Sequence, residues 1–422
     1  MNNYPVPANR FEQYILLAAF FLLFPGFFYY HTVIGTGVAP AVLGGYFAPV
    51  AVAFLLPLAF IYLLRMRRDP HRLTLVDVHF GLYIGYFLLV VTLNAVGGAN
   101  RMIVTSHILD ILFMVEMFVL FSFIDFAHPR FRVAGLLSLA GMTALAVALQ
   151  VDGVFYLRLM GETADTDTLA TYQGFARSYI VTFLAVVAFT RPFLLRMALY
   201  ATGIVTLFLN SARSEFVALL FALPIIEFYY ARYKMAIVMV LVLAAALVAL
   251  NLDHIVAALP DNRILELTDI SHSSSGEKRH DLTLYALHTI RAHPWMGDYA
   301  SYAPGYYSHN VLSAWVDLGL FGIVYLMALM IIPAAIMFVR EYFAGRRSGL
   351  FLLGFVFACV DLLLLLESHY FADMLVGATL GACSRYFYER KYASHRPFDL
   401  RPPAPRQPDL RQTVPHLGRA RP

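Results

Sequence analysis

Apolar residues in this chain fall into long runs broken by short polar stretches, without the alternating pattern of a half-buried strand. A membrane-spanning helix needs roughly 20 mostly apolar residues, and on that rule the sequence predicts about twelve spans. They run over 12–31, 39–64, 77–97, 104–126, 133–155, 174–190, 193–210, 214–231, 233–252, 310–339, 349–367 and 369–386. The seventh and eighth are separated only by Asn210-Ser211-Ala212-Arg213, and Pro224 is placed to kink the eighth. The first run is long and no small-residue cleavage site follows it, so it reads as a span and not as a cleaved signal. The expected fold is an all-α polytopic membrane protein, a bundle of about 12 transmembrane helices.

Charge orients these spans. Loops after even-numbered spans carry Arg65, Arg67, Arg68 and Arg72, then Arg130 and Arg132, Arg191 and Arg196, Arg232 and Lys234, Arg340, Arg346 and Arg347, and Arg385, Arg390 and Lys391. Loops after odd-numbered spans are short or acidic, as in Glu162-Thr163-Ala164-Asp165-Thr166-Asp167. Lysine and arginine favour the cytoplasmic side, which places both termini there and the long loop 253–309 outside, in the periplasm of a bacterial inner-membrane protein. The transmembrane unit occupies 1–391. The Pro- and Arg-rich tail 392–422 has no helical period and is expected to be a disordered cytoplasmic extension.

Composition fits: 60% of residues are hydrophobic and 14% charged, with a mean hydropathy of +0.67. Cys359 and Cys383 both sit in apolar runs, so neither a disulfide framework nor a cysteine metal site is expected. No metal, cofactor or nucleic acid is expected, and no nucleotide-binding glycine loop is found.

Candidate chemistry gathers on the side expected to be external. Arg213 sits beside Glu215 in a short turn near hydrocarbon depth, where a cation is costly unless it pairs or lines a polar cavity. Arg101 reads as an interfacial anchor. In the long loop, Asp281–Ala292 carries Leu282, Leu284, Tyr285, Leu287 and Ile290 at the spacing of an amphipathic interfacial helix. Arg279 would stand at its N-terminus, where free backbone N–H groups favour anions, or else pair with Glu277 or Asp281. Arg291 lies further along. Asn310 suits an N-cap for the tenth span. His309 precedes it at the membrane surface, either a loop residue or a base for a substrate hydroxyl. Glu367, Ser368, His369, Tyr370 and Asp373 form a second polar turn, with His369 and Asp373 expected on one helix face. Asp110 and Glu116 lie deeper in the fourth span, His107 one turn from Asp110, as functional candidates or as bundle-fixing partners.

These stretches resemble the bacterial O-antigen ligase and polysaccharide polymerase superfamily. Arg279, Ala286-Leu287, Ile290, Pro294 and Gly297 stand in the order of that family's pattern. Ser308-His309-Asn310 followed by Gly319 and Gly322 is similar to its His-Asn and Gly signature, and Ser211-Ala212-Arg213-Ser214 to its upstream Ser and Arg turn. One departure is Thr283, where the family often has an aromatic residue; Tyr285 lies two further on. The resemblance implies a metal-independent, inverting membrane glycosyltransferase acting on an undecaprenyl-diphosphate-linked oligosaccharide donor and a glycan or lipid-linked acceptor. On that basis Arg213 and Arg279 would bind the diphosphate and His309 would activate the acceptor hydroxyl; from their positions alone, Arg291, Asn310, Glu367, His369 and Asp373 are accessory candidates. Membrane lipid, a flippase and a chain-length regulator are the implied partners. Polymerisation of O-antigen or exopolysaccharide repeat units is the leaning, with ligation of finished polymer to lipid A-core as the alternative. A polysaccharide flippase or transporter is the alternative of another class, in which internal repeats and polar groups at mid-membrane are expected.

Overall fold

The computed structural model describes residues 9–394 apart from 44, 157–158, 160–170, 261, 269–273, 304–305 and 345–346. The acidic loop 162–167 and residues 395–422 therefore lie outside the described residues, whereas 392–394, assigned above to the tail, continue the last helix.

The described chain is all helical. Its helices are α1 (Arg10–Gly35), α2 (Phe47–Arg68), α3 (Leu75–Val96), α4 (Arg101–Phe123), α5 (Pro129–Leu149), α6 (Tyr172–Val187), α7 (Phe193–Leu209) and α8 (Arg213–Tyr230). They continue with α9 (Lys234–Leu250), α10 (Leu252–Ala258), α11 (Ser274–Ala292), α12 (Leu312–Tyr342), α13 (Gly349–Glu367) and α14 (Met374–Ser394). Every predicted span has its helix. Among the described residues, however, seven helices are long and apolar enough to cross a membrane, or eight if the bent α9–α10 pair is one span. The shortfall from the expected number has two causes. α6 and α7 are only 16 and 17 residues long. α8 and α14 carry charges within their length, including Arg213, Glu215, Glu227, Arg385 and Arg390.

Helix ends follow capping chemistry. Thr74 and Asp77 form a reciprocal capping box at the start of α3, and Ser348 caps α13. α1 passes Pro25 through a π turn at Leu22–Gly26, which absorbs the missing N–H. The tightest pairing in the bundle is α4 against α14. A Cβ at Gly377 would lie 1.9 Å from the Met114 carbonyl oxygen, and one at Gly381 would lie 2.4 Å from that of Phe118. Two glycines four apart thus let the backbones touch, the close approach on which helix association in lipid depends. Buried side-chain hydrogen bonds add to it, with Ser384 on Asp77 at 2.8 Å and Thr379 on Asp361 at 3.0 Å.

The basic loops converge on one end of the bundle. Arg65 and Arg68 pair with Glu12, Arg72 lies over the Phe123 and Tyr388 rings, and Arg385 reaches Asp125. Arg347 covers Tyr229, and Arg390 pairs with Glu341.

At the other end, the segment after α10 folds back over the bundle. α11 begins at Ser274, earlier than its apolar spacing suggested, and buries Ala286 and Ile290 against Tyr302 and Val316. Leu284, Tyr285 and Leu287 remain 36–50% exposed. The turn that follows docks into a break in α12 at Gly319, whose φ of +72° is left-handed. Asp298 N–H donates to Val316 O at 2.7 Å, and Leu320 N–H donates to Trp295 O at 3.1 Å. A Cβ on Gly297 or on Gly319 would meet a backbone oxygen of the other strand at 2.3 Å, so both positions require glycine.

Candidate functional site

Five segments meet at this end: the start of α8, the middle of α4, the start of α6, the loop 298–310 and the turn 368–373. Their polar groups form two connected networks.

The first network runs through the turn after α13. His369 is buried, its Nε2 3.3 Å from Glu215 Oε1 and its Nδ1 3.2 Å from Asp373 Oδ2. The second contact is close enough for an ion pair although it is not aligned as a hydrogen bond. Arg177 reaches the same Asp373 oxygen at 2.6 Å. Burial alone would keep His369 neutral, but Asp373 and Glu215 outweigh it and raise the imidazole to about 9, so the ring is cationic at neutral pH. Burial opposes the charge on Asp373 too, and Arg177 with His369 holds it below the usual carboxylate range. His369 and Asp373 share a non-helical turn, not the helix face expected from their spacing, because α14 starts only at Met374.

The second network has a fixed direction. Tyr370 O–H donates to Asp317 Oδ2 at 2.6 Å, so its oxygen accepts from His107 Nε2 at 2.6 Å. His107 Nδ1 must then accept from Tyr299 O–H at 2.8 Å. The Ala300 N–H closes the chain on Asp317 Oδ1 at 3.0 Å. This network ties the loop to α4, α12 and the turn.

His309 stands between the two. Its ring makes no well-aligned hydrogen bond among the described residues: the Ser368 carbonyl lies close enough to favour the charged form, and Nδ1 is buried without a partner. Its ring lies 4.5 Å from that of Tyr307, which in turn lies 4.8 Å from Tyr370. Burial, and then the nearby Arg279 guanidinium, push the imidazole down to about 4. At neutral pH it is an uncharged ring. His309 and His369 are thus opposite in character.

The other sequence candidates divide. Arg279 is close enough to act on both His309 and Tyr307, but it lies five residues inside α11 and not at its N-terminus, and it forms no ion pair among the described residues. The arrangement expected there, an arginine at a helix start, occurs instead at Arg213, the first residue of α8. Ser211 before it has a φ of +62° and a buried hydroxyl without a partner among the described residues, as has Glu215 Oε2. Asn310 is not the N-cap expected of it, since that position falls on Val311; its Oδ1 accepts from Leu312 N–H at 3.0 Å and from Ser308 Oγ at 2.8 Å. Arg291 and Glu367 are exposed and stand apart from both networks. Glu116 is buried, with neither carboxyl oxygen partnered among the described residues. Those residues include no cluster of three or more His, Cys, Asp or Glu arranged for a metal ion.

A cavity of about 580 Å³ opens beside His309, lined by Asp110, Arg177, Tyr307, His369 and Asp373 but not by His309, Arg213 or Arg279 themselves. Arg177 was not singled out in the sequence. The available signal was a lone cation, Ala176-Arg177-Ser178, inside the sixth predicted span.

No family model matches this chain, and no curated protein matches it.

Proposed function

We propose that this chain is a membrane glycosyltransferase that moves glycan from an undecaprenyl-diphosphate-linked donor to a sugar hydroxyl, polymerising repeat units. It would lie in the bacterial inner membrane with both termini cytoplasmic, the site facing the periplasm. The observation that carries the reading is His309: an imidazole held neutral by burial, its Nδ1 without a partner among the described residues, beside the Arg279 cation. A neutral imidazole can take a proton from an acceptor hydroxyl. The acceptor oxygen then bonds to the anomeric carbon as the bond from that carbon to the diphosphate oxygen breaks. The electron pair leaves on the diphosphate, whose charge Arg279 and Arg213 would stabilise. Attack opposite the leaving group inverts the carbon. His369 is already protonated and cannot serve as the base, and both ring nitrogens of His107 are taken by Tyr299 and Tyr370. The concentration of Arg and Lys at the opposite end of the bundle supports the sidedness.

The test is transfer by purified protein from a lipid-linked donor. His309→Ala should lower the rate by about 10²–10⁴-fold, the usual contribution of a general base, while donor binding persists. In cells lacking the gene, surface glycan reduced to single-repeat caps indicates polymerisation, and full-length polymer left on the carrier indicates ligation. Unchanged transfer by His309→Ala would sink the reading.

A further inference from the structure

We infer that the cavity beside His309 is a binding site for an uncharged, hydroxyl-rich sugar ring and that it excludes phosphate; taken as the acceptor site, this rests on the reaction proposed above. Its size, about 580 Å³, falls within the roughly 300–1,000 Å³ of small-molecule sites. Its charge decides the ligand class. Both cations of the wall, Arg177 and His369, are already committed to Asp373, and His369 also to Glu215. Two further carboxyls, Asp110 and Asp317, face the same space. An entering phosphate would meet carboxyl groups, and both cations of this wall already hold Asp373, so the diphosphate of the proposed donor belongs outside this cavity.

What the wall offers instead is hydrogen bonding to hydroxyls and apolar ring faces. The Asp110 carboxyl makes no hydrogen bond among the described residues and can accept from two sugar hydroxyls. Arg177 Nε is buried with no acceptor among those residues, a donor waiting for an oxygen, and Gln173 supplies an amide beside it. Tyr306, 63% exposed and in no ring pair among the described residues, offers a flat face for the C–H side of a pyranose. Tyr307 bridges to the base, because its ring lines the cavity and contacts His309 at 4.5 Å.

The experiment uses saturation-transfer NMR on the full chain in detergent, with methyl glucoside, methyl galactoside, rhamnose and N-acetylglucosamine as soluble probes. At least one probe should receive saturation from the wild-type protein, and inorganic pyrophosphate should not displace it. Asp110→Asn and Gln173→Ala should each weaken the signal roughly tenfold, as the loss of a hydrogen bond does, with thermal midpoints unchanged. Binding by none of the probes, displacement by pyrophosphate, or full signal in both variants would overturn the assignment. The two readings fail separately. Sugar binding with unimpaired transfer by His309→Ala leaves this site standing and removes the reaction. Loss of transfer without sugar binding does the reverse.

Discussion

At the residue scale, the two histidines make opposite demands on pH. Only the neutral His309 ring can accept a proton, so activity should be full above its pKa and fall as pH drops through it. In the free protein that limb lies near 4, and it should appear in kcat/KM, which reports the free enzyme. A bound diphosphate offsets the Arg279 charge that helps depress the ring, so the limb in kcat, which reports the complex, should lie higher. Arg279→Gln removes the same charge and should move the kcat/KM limb upward, though only in part because burial is the larger cause. Coincident limbs in wild type and an unmoved limb in Arg279→Gln would refute this placement of the base. What the sequence lacked at this scale was side-chain direction. His309 and Arg279 were legible as loop polar groups, but Arg177 was hidden because an averaged apolar window absorbs a single cation.

At the scale of elements, the interlocked Gly297 and Gly319 hold the segment carrying His309 to the broken α12. Both have left-handed φ, and both would drive a Cβ into backbone that cannot rotate away. Gly297→Ala and Gly319→Ala should each cost well over about 1 kcal/mol, more than the strain of a left-handed alanine alone. Transfer should fall with stability, because the Tyr299, Ala300 and Tyr302 contacts loosen together. Gly85→Ala is the contrast, a helical position with open space around it, and should be neutral or slightly stabilising. Thermal melts of the three variants check this, and equal midpoints for all would mean the interlock carries no weight. These glycines were visible in the sequence as spacing, whereas the reason for them was not, because it lies in backbone contacts between segments some twenty residues apart. The early start of α11 was illegible for a related reason. Its first turn, Ser274-Ser275-Gly276-Glu277, has no apolar period, and helix there continues from the packed turns beyond.

For the whole molecule, hydropathy located a helix for each predicted span, since lipid leaves the backbone no other economical way to satisfy its hydrogen bonds. It overcounted those able to cross alone, because short or charged helices such as α6 and α8 lie among neighbours that cover them. The sidedness argument depends on arginine and lysine in the loops, and labelling tests it. With Cys359 and Cys383 replaced by alanine, Met296→Cys and Ala127→Cys each place one thiol at an exposed position, 83% exposed in the case of Met296. Met296 lies in the turn that docks on Gly319; Ala127 lies between α4 and α5, where Arg385 meets Asp125. An impermeant reagent applied to intact spheroplasts should label the first and not the second, and lysis should expose the second. Equal labelling of both from outside would remove the sidedness, and labelling of Ala127→Cys alone would put His309 on the cytoplasmic side. A donor with its glycan in the periplasm could not then reach the base, and the proposed reaction would fall with the topology.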